Sequence, residues 1–190
     1  MEELQAIRRC RGGDRAAFRF LVDRYGDLVY RTAYLILRDR GLAEDLTQEA
    51  FIAAWRGLGR FDPGRPFKPW LLRIVVNRCL SEGRKRAAVV AEPERSGFGP
   101  GSDDGLLPER VALLHDKQRL VRAAIGALDE EMRLAVLLRY FGDLSVPEIA
   151  DVLSCPQGTV KSRLHRAMER LRQSLAGQSA ASCAADLLAE

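Results

Sequence analysis

Apolar residues recur at steps of three and four along most of the chain, which is the spacing of amphipathic helices. The first such run predicts one long helix beginning after Asp14, a residue suited to capping a helix. Its apolar positions are Phe18, Leu21, Val22, Tyr25, Leu28, Val29, Ala33, Leu35 and Ile36. A second helix is predicted from about Leu42 to Leu58. No alternating strand pattern occurs in the sequence, so we predict an all-α fold.

A third helix is predicted after a loop rich in Gly and Pro, GRFDPGRPFKP (59–69). It begins near Pro69, because proline suits the first helical position. Its inward side would contain four apolar residues: Phe67, Leu71, Ile74 and Val75. Its outward side would carry a polar stripe at helical spacing: Arg73, Asn77, Ser81 and Arg84.

The last third of the sequence predicts four further helices and, within them, a helix-turn-helix. Residues 109–128 form the first, and residues 130–141, capped by Asp129, form the second. The segment from Ser145 to Glu148 has the form of a capping box and opens a short helix that ends at Leu153. The last helix starts at Cys155-Pro156. A short helix, a tight turn and a longer basic helix are typical of a helix-turn-helix.

Charge divides the chain into pieces. Residues 1–86 hold 18 Lys and Arg against 11 Asp and Glu, residues 87–108 hold one against four, and residues 109–190 hold 11 against 11. The middle piece is rich in Gly and Pro and lacks helical periodicity, which is typical of a flexible linker. We therefore predict two small helical domains, 1–86 and 109–174, joined by an acidic linker over 87–108 and followed by a tail, 175–190.

Composition excludes several classes of protein. Hydrophobic residues make up 47% of the chain and charged residues 29%, as in an ordinary globular protein. No apolar run reaches membrane length and the N-terminus has no secretory signal, so we expect a cytoplasmic protein without membrane insertion. The four cysteines lie far apart, and no catalytic, phosphate-binding or dinucleotide-binding motif occurs. We therefore predict no catalytic residue, no metal site, no cofactor and no enzymatic activity.

The last predicted helix is strongly basic. Its candidate DNA contacts are Lys161, Ser162, Arg163, His165 and Arg166. They could form a solvated face, but a capped short helix precedes them at the distance expected of a helix-turn-helix. That spacing favours a recognition helix that enters the major groove.

The third helix joins aromatic residues to cations, and its pattern allows two interpretations. The aromatic residues are Phe61, Phe67 and Trp70, and the cations begin with Arg73 and Arg78. Either the rings belong to the core and the cations are solvated, or the helix follows a DNA backbone while the rings stack on unpaired bases. Composition alone does not separate these two interpretations.

Three segments together resemble the extracytoplasmic-function (ECF) family of RNA polymerase sigma factors: AEDLTQEAFIAAW (43–55), FKPWLLRIVVNRCLSEGRK (67–85) and LSVPEIADVLSCPQGTVKSRLHRAMERLR (144–172). The resemblance implies sigma region 2 in the first domain and sigma region 4 in the second. It also implies a transcription initiation factor that binds core RNA polymerase and directs it to promoter DNA. An anti-sigma factor is an expected partner.

The resemblance also implies roles for individual residues. The surface with Asp45, Gln48 and Glu49 would dock on the clamp helices of the largest polymerase subunit. In the sequence pattern, the two acids lack an internal partner. The loop from Gly59 to Lys68 would capture a flipped base. The minus-ten element would be contacted by Phe61, Phe67, Trp70, Arg73, Asn77 and Arg78. The minus-thirty-five element would be read by Lys161, Ser162, His165 and Arg166, with Arg163 on a phosphate.

Two other classes of function remain open on the sequence. A stand-alone helix-turn-helix repressor would explain residues 129–174 but not the first domain. A nucleic-acid-processing enzyme could use Asp45 and Glu49, one helical turn apart, to hold a metal ion, although no histidine lies near them in the sequence.

Overall fold

The computed structural model describes residues 2–90, 121 and 123–176. Within these ranges every regular element is a helix, which confirms the predicted all-α class. The chain divides into two compact units between Gly101 and Ser102, a boundary inside the predicted linker. Most of that linker, the tail after Ala176 and most of the helix predicted over 109–128 lie outside the described residues.

Residues 2–90 of the first unit form four α-helices: α1 (Glu3–Arg11), α2 (Arg15–Leu37), α3 (Arg40–Gly57) and α4 (Phe67–Val90), with a 3₁₀ turn (Leu58–Arg60) after α3. Two aspartates start α2 and α3. The Asp14 side chain accepts hydrogen bonds from the amides of Ala16 and Ala17 at 2.9 and 3.1 Å. The Asp39 side chain accepts one from the amide of Leu42 at 3.0 Å. Both satisfy amides that a helix start leaves without a partner.

Helix α1 is absent from the sequence-based prediction. It forms because Ala6, Ile7 and Cys10 share one face and are buried, and α1 packs on α2. The Tyr25 hydroxyl on α2 donates a hydrogen bond to the Glu3 carboxylate. Burial, and then this carboxylate, raise the pKa of Tyr25 to about 12. Gly13, with φ of +89°, then turns the chain into α2 through a conformation that favours glycine.

Helices α2, α3 and α4 enclose the core of the first unit. Of the four residues predicted to face inward, Phe67, Leu71 and Val75 are buried and Ile74 is half-buried. Helix α4 begins at Phe67, two residues before the predicted start at Pro69. The polar stripe lies on the outside as predicted, because its residues occupy the side of α4 opposite this core.

The second unit contains a helical segment (123–127), α5 (Glu130–Val136), a wider π-helical turn (Leu137–Phe141), α6 (Val146–Leu153) and α7 (Gln157–Ala176). Asp129 caps α5, accepting from the amide of Met132 at 3.0 Å. The predicted capping box is present, with the Ser145 amide donating to Glu148 at 2.8 Å. Helices α6 and α7 form the predicted helix-turn-helix, packed on an aliphatic core.

The turn between α5 and α6 approaches the preceding helix closely. A Cβ on Gly142 would lie 2.7 Å from the Leu138 carbonyl oxygen, so a side chain there would displace the backbone. The Gly142 amide donates to the Leu137 carbonyl at 2.9 Å, and Arg139 Nη1 donates to the Leu144 carbonyl at 2.9 Å. These contacts fix where α6 begins relative to α5.

Candidate nucleic-acid interfaces

The outward face of α7 carries four of the predicted DNA contacts. Lys161, Ser162, His165 and Arg166 are all exposed, while Val160, Ala167 and Leu171 of the same helix are buried. Arg166 Nε donates to the Ser162 carbonyl at 3.3 Å, and Ser162 Oγ donates to the Thr159 carbonyl at 2.9 Å. Among the described residues, no carboxylate pairs with the three basic side chains.

Arg163 lies elsewhere on α7. Only 14% of its side chain is exposed, because its guanidinium reaches inward. Nη2 lies 2.7 Å from Glu131 Oε1 on α5, and Nη1 donates to Cys155 Sγ at 3.5 Å in the turn before α7. The prediction that Arg163 contacts a DNA phosphate is therefore replaced: the side chain joins the recognition helix to the helix behind it.

The first turn of α7 adds positions that the sequence analysis missed. Gln157 and Gly158 are exposed at the N-terminal end of the helix, just before Lys161. The N-terminal residues of a recognition helix are those that contact base edges. The helix start at Pro156 was the signal that could have pointed to them.

Helix α4 presents the polar stripe predicted for the first unit. Arg73, Asn77, Ser81 and Arg84 are exposed, and Arg78 beside them is half-buried. The Arg84 Nε donates to the Leu80 carbonyl at 3.3 Å. The stripe is therefore a continuous surface that can follow a nucleic-acid backbone.

The three aromatic residues at the start of α4 have different environments. Phe61 is 4% and Phe67 1% exposed, so they form the core and neither ring has a face open to a base. This corrects the prediction that Phe61 and Phe67 contact DNA. Trp70 is half-buried, with its ring centre 4.9 Å from that of Phe61. A Cβ on Gly57 would lie 3.2 Å from the Trp70 indole, so Trp70 rests on α3 with part of its ring at the surface.

The loop between the 3₁₀ turn and α4 is a compact exposed turn. Asp62 Oδ1 accepts from the Gly64 amide at 2.9 Å, and the Asp62 carbonyl accepts from the Arg65 amide at 3.0 Å. Arg60 and Arg65 are exposed, and neither cation was among the residues predicted from the sequence to contact DNA. With Asp62 also exposed between them, they leave residues 60–65 with a net charge of +1 just before α4.

A third surface lies on α3, where Asp45, Gln48 and Glu49 are exposed as predicted. Ile52, one turn further along, is 52% exposed and completes the face at helical spacing. In a periodic pattern an exposed isoleucine gives the same signal as a core residue, so the sequence alone did not point to Ile52. The carboxylates of this face would repel a nucleic-acid backbone, so the face suits a protein partner better.

The expectation that both acids lack an internal partner fails for Glu49. Its Oε2 accepts a hydrogen bond from Arg78 Nη1 on α4 at 2.6 Å. No partner of Asp45 occurs among the residues that the structure describes. Of the two carboxylates on this face, Glu49 is therefore already paired with Arg78, whereas Asp45 has no partner in the described part of the chain.

Helices α3 and α4 run antiparallel, and three contacts mark their register. Gly57 meets Trp70 at one end, Glu49 meets Arg78 in the middle, and Asp39 meets Arg86 at 3.1 Å at the other end. The Leu42 amide, and then the Arg86 guanidinium, hold the pKa of Asp39 below its usual value. The two surfaces on α3 and α4 are thus edges of one rigid helix pair.

Two observations concern metal binding and nucleophilic groups in the described part of the chain. Those residues contain no group of three His, Cys, Asp or Glu side chains able to hold a metal ion. Burial raises the pKa of Cys79 to about 12, so its thiol is not a nucleophile at neutral pH. In the same part of the chain, no helix is both long and apolar enough to cross a bilayer.

Comparison with known proteins covers both units. The family model described as Sigma-70 region 2 matches residues 21–89, and the model described as Sigma-70, region 4 matches residues 118–171. The chain is 35% identical over 176 residues to the ECF RNA polymerase sigma factor SigW of Bacillus subtilis, covering 89% of this chain and 94% of that one. It is 35% identical over 174 residues to the sigma-E factor of Escherichia coli K12, covering 87% and 90%.

Solved structures give the same result. CnrH, in complex with the cytosolic domain of CnrY, matches with a TM-score of 0.67 and 28% identity over 93% of this chain and 99% of that one. RpoE, in complex with the anti-sigma factor NepR from Bartonella quintana, matches with a TM-score of 0.66 and 26% identity, covering 83% and 96%. The region 2 match accounts for the first unit, which a stand-alone repressor would leave unexplained. The chain belongs to the ECF family of RNA polymerase sigma factors, which bind core polymerase and direct it to promoters.

Proposed function

We propose that this sigma factor reads the two elements of its promoter with two different helices. Helix α7 reads the minus-thirty-five element, and α4 with the loop before it reads and opens the minus-ten element. The observation that carries this proposal is the outward face of α7, whose Lys161, His165 and Arg166 are exposed and have no carboxylate partner among the described residues.

At the minus-thirty-five element, α7 would lie in the major groove, which is about as wide as one helix. Lys161 and Arg166 can donate to guanine acceptors, while Ser162 and His165 can bond several base edges. Each such base contact is worth about 1–3 kcal/mol of discrimination. Arg163 supports this reading indirectly, because it holds α7 on α5.

At the minus-ten element, Trp70, Arg73, Asn77 and Arg78 would contact the DNA. The loop from Gly59 to Lys68 would hold a base flipped out of the duplex. Stacking a base on an aromatic ring contributes about 1–3 kcal/mol, comparable to the cost of unstacking one step. Because Phe61 and Phe67 are buried, Trp70 is the aromatic residue of this group that can act at the surface.

The face of α3 formed by Asp45, Gln48, Glu49 and Ile52 would dock on the clamp helices of the largest polymerase subunit. Its acids would pair with basic groups there, and Ile52 would lose its contact with water. The sigma factor itself would carry out no bond chemistry; nucleotide transfer belongs to the polymerase.

An anti-sigma factor is a further proposed partner. The support is that RpoE, similar over most of this chain, was solved in complex with the anti-sigma factor NepR. Binding of such a partner would compete with polymerase or DNA for the surfaces described above.

Run-off transcription tests the proposal directly. Core polymerase with and without the protein is given a library of genomic fragments, and start sites are mapped. We expect protein-dependent starts that share two elements at fixed spacing. An absence of starts above those of core polymerase alone would contradict the function. Tight binding of the purified protein alone to these fragments would instead indicate a repressor.

The docking face has its own test. Asp45→Arg with Glu49→Arg reverses two charges on α3 and should sharply reduce capture of core polymerase in a pull-down. The matched control is Asp23→Arg with Asp27→Arg, which reverses two exposed charges one turn apart on α2. Equal capture by both double variants would remove α3 from the polymerase interface.

A further inference from the structure

One ion pair joins two surfaces that different partners need. Glu49 lies on the α3 face proposed for polymerase, and Arg78 lies on the α4 surface proposed for DNA. Their side chains meet at 2.6 Å, with 36% of Arg78 and 54% of Glu49 exposed. While the pair is closed, Glu49 uses one of the hydrogen-bond donors of Arg78 and offsets its positive charge. Arg78 likewise uses an acceptor of Glu49 and offsets its negative charge.

The helices that carry the pair are held at other points. The Gly57–Trp70 packing lies at one end of the α3–α4 contact, and the Asp39–Arg86 pair lies at the other. Opening the central pair therefore leaves the helices in register and releases two side chains. Both are exposed enough to turn toward another partner.

We propose that Glu49 masks Arg78 from DNA in the free protein, and that a cationic group of core polymerase, by binding Glu49, releases Arg78 for the promoter. This inference rests on the proposed docking and DNA surfaces. Exposed ion pairs of this kind couple weakly, so the expected effect on binding is about two- to fivefold. Because coupling between two sites is reciprocal, removing Arg78 should strengthen polymerase binding by a similar factor.

The DNA arm of the test uses the full chain and a fluorescein-labelled single-stranded oligonucleotide of mixed sequence, followed by anisotropy at low salt. Glu49→Ala should bind about two- to fivefold more tightly than the natural chain. Asp45→Ala is the matched control, since it removes the same charge one turn away without opening the pair. Its gain should be clearly smaller. In an Arg78→Ala background, the gain from Glu49→Ala should fall to that of Asp45→Ala.

The polymerase arm measures competition with a labelled natural chain for core enzyme. Arg78→Ala should compete about two- to fivefold better than the natural chain. Arg84→Ala is the control, because it removes one exposed charge from the same helix and its guanidinium donates to the Leu80 carbonyl rather than to Glu49. It should leave affinity for core enzyme unchanged.

Two results would overturn the inference: equal DNA gains for Glu49→Ala and Asp45→Ala, or equal core affinity for Arg78→Ala and Arg84→Ala. Failure of the proposed function looks different. In that case Arg78→Ala does not weaken oligonucleotide binding even in the unmasked Glu49→Ala chain, or Glu49→Arg with Asp45→Arg does not impair polymerase capture.

Discussion

The cations proposed to contact DNA are held differently on the two helices. On α7, Lys161 and Arg166 point outward, and no carboxylate in the described part of the chain pairs with them. On α4, Arg78 is paired with Glu49 of α3. A helix that reads closed duplex needs only a rigid basic face, whereas a helix that helps to open duplex acts only once polymerase is present. The difference in pairing matches that division of labour.

The surfaces also differ in how far they depend on the core behind them. In the first unit, Trp70 packs on Phe61 and Phe67, so a proposed DNA contact is part of an aromatic core. In the second unit, the core side of α7 consists of Val160, Ala167, Leu171 and Leu175. The residues proposed to contact DNA lie on the opposite side of the helix and are not part of this core. Recognition can therefore change on α7 with little effect on stability, but not at Trp70.

The largest expected effect separates reading from folding on α7. Lys161→Ala with Arg166→Ala should weaken recognition of the promoter by the free energy of two base contacts, about 2–6 kcal/mol, and so lower promoter-specific transcription. Core polymerase binding and the unfolding temperature should stay unchanged, because both side chains are exposed. Run-off transcription and a pull-down measure the two quantities. Unchanged promoter preference in the double variant would take α7 out of the reading role.

An intermediate effect is expected from the inward cation of the same helix. Arg163→Ala removes the charge-assisted contacts to Glu131 and Cys155. It should destabilise the second unit by about 1–2 kcal/mol, at the low end for a charged contact because solvent screens the largely exposed Glu131. For a domain of this size that is a fall in Tm of several degrees, measured by scanning calorimetry. Lys161→Ala is the control and should stay within about 0.5 kcal/mol of the natural chain. Equal losses would erase the distinction between the two sides of α7.

The smallest effect concerns the paired end of α3 and α4. Asp39→Ala removes a helix cap and the partner of Arg86, and should cost about 1 kcal/mol at neutral pH. Because the folded pKa of Asp39 is lowered, its stabilisation is present above the unfolded pKa, about 3.9, and is lost as pH falls through the folded pKa. The gap between natural chain and variant should therefore close below about pH 4.

Asp39→Asn separates the cap from the charge. Asparagine caps a helix as well as aspartate does, so this variant should lose only the exposed pair with Arg86, less than about 1 kcal/mol. Urea unfolding at several pH values measures all three chains. A gap for Asp39→Ala that persists unchanged at pH 3 would show that ionisation of Asp39 contributes nothing.

Features with local signals were predictable from the sequence. Asp14 as a cap, the Ser145–Glu148 capping box and the polar stripe of α4 all follow from spacing within one element. Helix α1 was missed because its three buried residues lie in a short basic segment, and its stability depends on Tyr25 of another helix.

Features that depend on tertiary register were not predictable. An aromatic residue at a domain edge gives the same pattern whether it packs inward, as Phe61 and Phe67 do, or stacks on a base. Glu49 and Arg78 lie 29 residues apart and meet only through the antiparallel register of α3 and α4. The assignment of Arg163 to a DNA phosphate was avoidable. Arg163 comes three residues after Val160 and four before Ala167, so helical spacing places it on the same side as these two buried residues.

The Gly142 turn has a consequence for building hybrid factors with new promoter specificity. The Gly142 backbone lies close to Leu138, and Arg139 reaches across the turn to the Leu144 carbonyl. The orientation of α6 and α7 is therefore set by the segment from α5 to Leu144. A graft that replaces only α6 and α7 must keep this junction intact. Exchanging the second unit as a whole carries its geometry with it and is the safer way to transplant recognition.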